Sequence, residues 1–296
     1  MTQVQILWTP VGQNMPDLGT RALVDITDGD TPTLRMPVRM LSVDTPEVTA
    51  KSPQGAARVD ANFLELAGWI QQGKAPITAG LAAHLLPKLL SGQAGTLQFT
   101  QGEAASAWAK ENIRKRLDRP TGDDRSIFIR TVEPPFENNN RLLAYLAPNY
   151  SATERETMSL LDRSTFNLDV IRSGWAAPFI IFPAIPGEAD LSLFVATAES
   201  AVAQKLGIWA DALTMPAYEY RMCEKLHGIT KKLVAGEKLD GAARHEWRSR
   251  YVLDLRSREL HGPESYPLVP PEYSIWVWPE DVQRAISMLN LIPKLN

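Results

Sequence analysis

Asp28-Gly29-Asp30-Thr31 and Arg39-Met40-Leu41-Ser42-Val43-Asp44-Thr45-Pro46-Glu47 are the two stretches on which fold and chemistry turn. Residues Ala22 to Ile26 alternate and are largely apolar, which predicts a strand running into the Asp-Gly turn. Thr33 to Val43 reads as the return strand or strands, ended at Thr45-Pro46 because proline has no N–H to continue a ladder. Carboxylates at both mouths of such a ribbon can converge on one hard cation, which takes oxygen ligands. Arg39 between them offers a rigid donor fork suited to phosphate. Carboxylates, a cation site and an arginine point to phosphodiester chemistry.

Alone, either stretch is ordinary: Asp-Gly-Asp is a common turn, and Asp-Thr-Pro-Glu a common strand end before a helix cap. Their order matters more, together with a third element, Arg141-Leu142-Leu143-Ala144-Tyr145. With it the chain resembles the thermonuclease family, the staphylococcal nuclease-like domains. Their pattern is Asp-Gly-Asp-Thr, then Val-Arg with Asp-Thr-Pro-Glu, then a Gly-Arg-x-Leu-Ala-Tyr strand. Three further segments are similar in order: Gly102 to Trp108 as the start of the first helix, Phe166 to Ala176 as the Asn-x-x-Leu-Val helix, and Glu199 to Trp209 as the closing helix with its Gly-Ile-Trp end. The resemblance spans residues 20 to 211 discontinuously.

It implies an α+β fold: a five-stranded barrel of the oligonucleotide-binding type with helices packed on it. The expected organisation is a barrel domain over 1–211, interrupted by an insertion over 49–101, and a C-terminal α/β extension over 212–296. Within the insertion, 59–70 and 79–90 read as helices, the second with Pro87 inside it. A polar, exposed connection is expected at 148–164. In the extension, helices are expected over 218–236 and 239–260, an aromatic strand punctuated by prolines over 266–279, and a last helix over 280–291. Residues 1–19 form a weakly periodic lead-in.

Composition sets the frame. The 296 residues carry a net charge of −3, and 44% are hydrophobic, as in an ordinary globular protein. No apolar run approaches the ~20 residues of a membrane helix. The N-terminus, with no Lys or Arg before Arg21, does not resemble a secretory signal. Cys223 is the single cysteine, which excludes an intramolecular disulfide and fits a reducing, cytoplasmic setting. An acidic balance is unusual for a nucleic-acid enzyme, since affinity comes largely from Lys and Arg. Arg221 to Arg258, however, holds ten Lys and Arg against five Asp and Glu, and Lys110 to Arg119 is also basic. Each is either a solvated helix face or a substrate track.

The family resemblance implies a role for each site residue. Asp30 and Asp44 would ligate a divalent cation with the Thr45 carbonyl, and Asp28 would hold a metal-bound water. The cation implied is Ca²⁺, with Mg²⁺ or Mn²⁺ also compatible with oxygen donors. Glu47 would act as general base or water-orienter. Arg39 and Arg141 would neutralise the phosphate oxygens, and cleavage would break the P–O5′ bond. His84, His227, His245 and His261 lie outside every matched motif. Two departures concern substrate binding: Asn139 and Asn140 replace the family's Tyr-Gly before the second arginine, and Ile180 and Phe182 stand where some members carry tyrosines. The expected function is a metal-dependent nuclease acting on DNA or RNA. The alternative is a barrel with little or no turnover that serves as a nucleic-acid or protein scaffold. The insertion is either a lid over the cleft or a packing element against the extension, and either segment could carry a protein partner or self-association.

Overall fold

The computed structural model describes residues 20–28, 30–119 and 122–294; the lead-in and Gly29 lie outside them. The chain is α+β. β1 (Ala22–Ile26) and β2 (Pro32–Arg35) pair antiparallel, as the alternating run predicts. β3 (Val38–Met40) and β4 (Ser42–Asp44) follow directly. The insertion is α1 (Pro53–Gln71) and α2 (Ala79–Leu90), and it runs into α3 (Ala94–Leu117), which starts ahead of the expected Gly102. Next come β5 (Ile127–Phe136), β6 (Leu142–Pro148), α4 (Ala152–Thr157), α5 (Phe166–Arg172), β7 (Ala177–Ile181) and α6 (Glu188–Ala203). The extension contributes α7 (Ala217–Val234), α8 (Gly241–Arg244), β8 (Tyr251–Asp254), β9 (Glu259–His261), β10 (Ser274–Val277), α9 (Val282–Leu289) and β11 (Ile292–Lys294).

The strands form three sheets, ordered β1-β2, β3-β6-β5 and β11-β9-β8-β10-β7-β4. Among the described residues β1 and β2 ladder only with each other, so hydrogen bonds do not join the expected barrel strands into one sheet. The six-stranded sheet crosses the boundary drawn at 211, since β4 and β7 precede it and the other four strands follow it. Its two faces alternate by residue, as a pleated strand requires. Phe179 and Trp276 face α1, α2 and α7 in one core with Phe63, Leu66, Leu85 and Tyr220. Ile180, Ile275 and Val277 face α9 in another.

The expected helix over 239–260 is corrected to a single helical turn followed by the hairpin β8–β9. The basic residues there suggested a helix face, but Tyr251-Val-Leu-Asp254 pairs on both sides, with β9 and with β10, and buries Val252 and Leu253 on opposite faces. Two-sided burial rewards sheet registry over helical periodicity. The last helix does begin behind Pro279, and the 152–157 helix is exposed as expected, closed by a Ser151–Glu154 capping box.

β3 and β4 are separated by Leu41 alone, yet they lie in different sheets. The corner is made at Ser42, whose φ of 63° is in the left-handed region that residues other than glycine seldom enter. Its hydroxyl meets the Tyr145 hydroxyl at 2.5 Å. Asn167, fully buried in α5, ties the corner down. Its amide donates to the carbonyls of Leu41 (2.8 Å) and Ala144 (3.2 Å) and accepts from Leu146 N–H (3.0 Å).

The insertion packs on the extension. Phe63 meets Tyr220 edge-on, Trp69 stacks on His227, and His227 pairs with Glu65 at 2.9 Å. Buried Glu219 of α7 is the polar centre of this contact: Lys88, His84 and the Tyr266 hydroxyl all converge on its carboxylate. Of the insertion's apolar residues, Phe63, Leu66 and Ile70 are buried there, while Leu64 stays exposed.

Two outcomes are expected. Asn167→Ala leaves the Leu41 carbonyl and the Leu146 N–H without partners at about 1–3 kcal/mol each, while the Ala144 carbonyl keeps the Leu41 N–H, so urea denaturation should report a loss of at least about 2 kcal/mol. Burial alone would raise the Glu219 carboxyl, but the Lys88 charge and the His84 hydrogen bond bring it from 4.5 down to about 2. A carboxyl depressed on folding stabilises above its unfolded value, and that contribution is lost as pH falls from about 4.5 toward about 2. The loss amounts to roughly 3 kcal/mol. Denaturant midpoints across this window should therefore slope less in Glu219→Gln than in the parent.

Candidate active site

The corner at Ser42 places the expected residues. Arg39 is the middle residue of β3, Asp44 ends β4, and Thr45-Pro46-Glu47 continues without regular structure. In the β3–β6 register Arg39 is opposite Leu143. Arg141 stands two residues ahead of Leu143, just before β6 begins, and its side chain turns to Glu137. The turn before β6 takes Asn140 at φ 58°, so the asparagine substituting for the family's glycine adopts the conformation a glycine would supply.

Glu47 is held from behind by α3. The Gln98 amide, oriented so that its oxygen faces Glu47, accepts from the Glu47 N–H at 2.9 Å and donates to the Met215 carbonyl at 3.0 Å. Gly102 lets the helix touch this segment: a Cβ there would stand 2.9 Å from the Pro46 carbonyl oxygen. The glycine that opens the family-like Gly102 to Trp108 segment is thus a close-approach residue.

The decisive contact comes from the extension. Arg221, in the first turns of α7, donates to both oxygens of Asp44 at 3.0 and 2.9 Å and to Glu47 at 2.5 Å. Arg39 approaches Asp44 at 3.6 Å. Asp44 is 3% exposed. Burial pushes its carboxyl up, and the charges of Arg221 and Arg39 offset this only in part. Burial would lower Arg221, but Asp44 and Glu47 hold it above its ordinary value. One turn further along α7, the Glu224 carboxyl is pushed up by burial and by the Glu47 charge.

The neighbouring residues of α7 aim Arg221. Tyr218 stacks on Phe179 with centroids 5.8 Å apart, Glu219 is bound as described, and Tyr220 packs on Phe63. Arg250, immediately before β8, completes the cluster. Its guanidinium lies 4.9 Å from the Phe179 ring centroid and 5.2 Å from that of Trp278.

The structure thus brings Arg39, Asp44 and Glu47 together, with Thr45 between the two acids. Arg141, just ahead of β6, pairs instead with Glu137. Asp30 stays at the turn of the β1–β2 hairpin, where it accepts from the Thr31 hydroxyl at 3.1 Å; Asp28 accepts from the Asp30 N–H. None of the hydrogen bonds of Asp30 reaches Asp44. The root of the hairpin is tied to the Arg141 turn by Arg21, which donates to the Asn140 carbonyl. Among the described residues no three His, Cys, Asp or Glu side chains gather closely enough to hold a metal ion. Asp44 and Glu47 do fit a cation in kind: both are oxygen donors, and the Arg221 guanidinium already occupies the position of positive charge between them.

Arg221 and Arg250 escaped the sequence reading, although both belong to the basic surplus of Arg221 to Arg258. That stretch is not simply a solvated face, since these two arginines turn inward to Asp44. The Lys110 to Arg119 run is divided: Lys110, Arg114 and Lys115 are exposed, while Arg116 is half-buried and pairs with buried Asp169. No known family model matches the chain, and no curated protein matches it in sequence.

Removing Arg221 should leave Asp44 buried without its main counter-charge. Arg221→Met is expected to lose about 3 kcal/mol, the low end for a broken buried pair because Arg221 keeps contact with solvent. Adding Asp44→Asn should return much of that loss. Purely additive losses in the double-mutant cycle would show that the pair is not coupled.

Proposed function

We propose that this chain is a metal-dependent phosphodiesterase acting on DNA or RNA, built on a thermonuclease-like core. The convergence of Arg39, Asp44 and Glu47 at the β3–β4 corner carries this reading, with Arg141 placed just ahead of the strand that pairs with β3. These are four of the residues that the family resemblance singles out, three of them from the one segment 39–47 and the fourth from the turn before β6. The barrel itself is part of the proposal. It is supported by apolar surface left exposed on β1 and β2 (Leu23, Val24, Ile26, Leu34) and on β5 (Ile127, Phe128, Ile129), which closure of the five strands would cover.

In this proposal Asp44 and the Thr45 carbonyl would hold Ca²⁺, or Mg²⁺ or Mn²⁺, with Asp30 joining them once the β1–β2 hairpin closes over the site, and the cation would supply a Lewis acid at the phosphate. Arg221 must first release Asp44. Glu47, fixed through its backbone by Gln98 and Gly102, orients the attacking water and takes its proton. Arg39 and Arg141 meet the negative charge that builds on the phosphate oxygens, and the P–O5′ bond breaks with the 5′-oxygen taking a proton from solvent and leaving as a hydroxyl. A preorganised donor of this kind contributes on the order of 2.7–4 kcal/mol.

A second reading has its own observation. Arg221 takes both oxygens of Asp44 and one of Glu47, which suits a binding scaffold in which the acids serve structure. One experiment separates the two. Plasmid, single-stranded DNA and RNA are incubated with Ca²⁺, Mg²⁺, Mn²⁺ or EDTA, using the parent, Asp44→Ala, Glu47→Gln and Arg141→Lys. The nuclease reading expects cation-dependent cleavage that is largely lost in Asp44→Ala. Glu47→Gln should bind substrate yet turn over slowly, and Arg141→Lys should fail because an ammonium lacks the planar fork. Cleavage absent from the parent with every cation, alongside retained nucleic-acid binding, would favour the scaffold.

A further inference from the structure

We infer that Arg250 is the centre of a phosphate-binding subsite that the C-terminal extension adds beside Asp44, facing the phosphate backbone of a single-stranded nucleic acid. The nucleic-acid ligand rests on the function proposed above, whereas the anion site stands on the arginines themselves. Arg250 differs from the other guanidiniums of the cluster. Arg221 is committed to Asp44 and Glu47, and Arg39 leans on Asp44. Among the described residues Arg250 makes no hydrogen bond and no ion pair, yet it offers five N–H donors.

What holds Arg250 is aromatic. Its guanidinium lies over Phe179, Trp278 and, at 5.9 Å, Trp276, so its position is set by faces that attract a cation but accept no N–H bond along the fork. None of its nitrogens is sealed from solvent without a partner, so the donors remain open on one side. The acid that acts on Arg250 is Asp44, and Arg221 and Arg39 already answer that carboxylate, so Arg250 has no acid of its own. Burial and then the neighbouring Arg221 charge lower Arg250 to about 10, a guanidinium made less comfortable by its surroundings. A phosphate would relieve this by supplying negative charge and two oxygens spaced for a bidentate contact with the fork. The aromatic floor keeps the fork presented without the entropy loss of ordering a free arginine on binding.

The test uses the full chain in EDTA, so that hydrolysis plays no part. Inorganic phosphate and a short single-stranded oligodeoxynucleotide are titrated in turn, read by tryptophan emission, with the oligonucleotide series repeated at several salt concentrations. Arg250→Gln should weaken binding by roughly tenfold, the range of one hydrogen-bonded contact to a charged group. It should also flatten the salt dependence by about 0.7, one phosphate's worth on a single strand. A structural role alone would lower the melting temperature without changing that slope. Arg250→Lys keeps the charge over the rings and carries the test if the glutamine variant does not fold: the slope should persist while affinity falls severalfold. A loss for the oligonucleotide assigns the site to a nucleic-acid backbone, and a loss for inorganic phosphate alone assigns it to a free phosphate group. Folded variants with unchanged affinity and slope for both probes overturn the site. Cleavage measured with cation on the same preparations separates the two proposals: an active parent with unchanged binding in the variants sinks this subsite alone, and weakened variants of an inactive parent leave it standing.

Discussion

Everything near Asp44 depends on the turn that carries the chain from one sheet into another at Leu41–Ser42. Two strands in direct succession would ordinarily continue one ladder. Here the left-handed Ser42 breaks the run, and the corner leaves backbone carbonyls in a place water does not reach. Asn167 answers that need, because its amide has both donors and an acceptor and is short enough to sit inside a helix turn. The consequence reaches the candidate site directly. Arg39 remains in the three-stranded sheet beside the Arg141 strand, while Asp44 enters the six-stranded sheet beside Ala177 and Phe179. One segment thereby supplies a cation from one sheet and a carboxylate to the other.

Asp44 enters a sheet face that is otherwise aromatic and apolar, and a bare carboxylate there would be severely penalised. The compensation comes from α7, whose first turns are gripped on three sides by Phe179, Phe63 and the Lys88–His84–Glu219 cluster. A helix so anchored delivers Arg221 as a rigid group, which explains how a long side chain makes three donor contacts at once. The insertion, through Lys88 and His84, thus supports the site indirectly. It holds α7, and α7 holds Asp44 and Glu47. Of the two roles weighed for it, packing against the extension is the one its contacts serve.

The legibility of the sequence follows the range of the forces involved. Strands β1, β3 and β6, helix α5 and the α9 start behind Pro279 were readable because turn chemistry, alternation and capping act over a few residues. Asn140 was readable for the same reason: its φ is a local demand. The β8–β9 hairpin was not, because Arg248 to Arg258 carries a charge pattern that suits a helix, and only burial on both sides decides for a sheet. Arg39, Asp44 and Glu47 stood out because their motif is compact. Arg221 and Arg250 did not, since an arginine among ten basic residues has no local mark of its destination. The surplus of positive charge was visible, but the buried acid that draws it lies far upstream.

The extension is therefore part of the site rather than an appendage to it. Asp44 and Glu47 on one segment could bind a cation, a guanidinium or nothing, and which of these they meet is decided by what the rest of the chain places opposite them. Arg221 places positive charge there at all times, so any other cation must compete with a donor whose effective concentration is set by the fold. Arg250 stands beside it with its fork unused, kept in place by rings and not by an acid. An internal cation on the carboxylates and an unsatisfied cation next to them make opposite demands on a ligand: the first excludes metal until it moves, and the second invites an anion. A phosphate drawn to Arg250 would also offer Arg221 a competing acceptor. Entry of the anion and release of Asp44 can thus be one coupled event, with the phosphate and the cation each easing the arrival of the other.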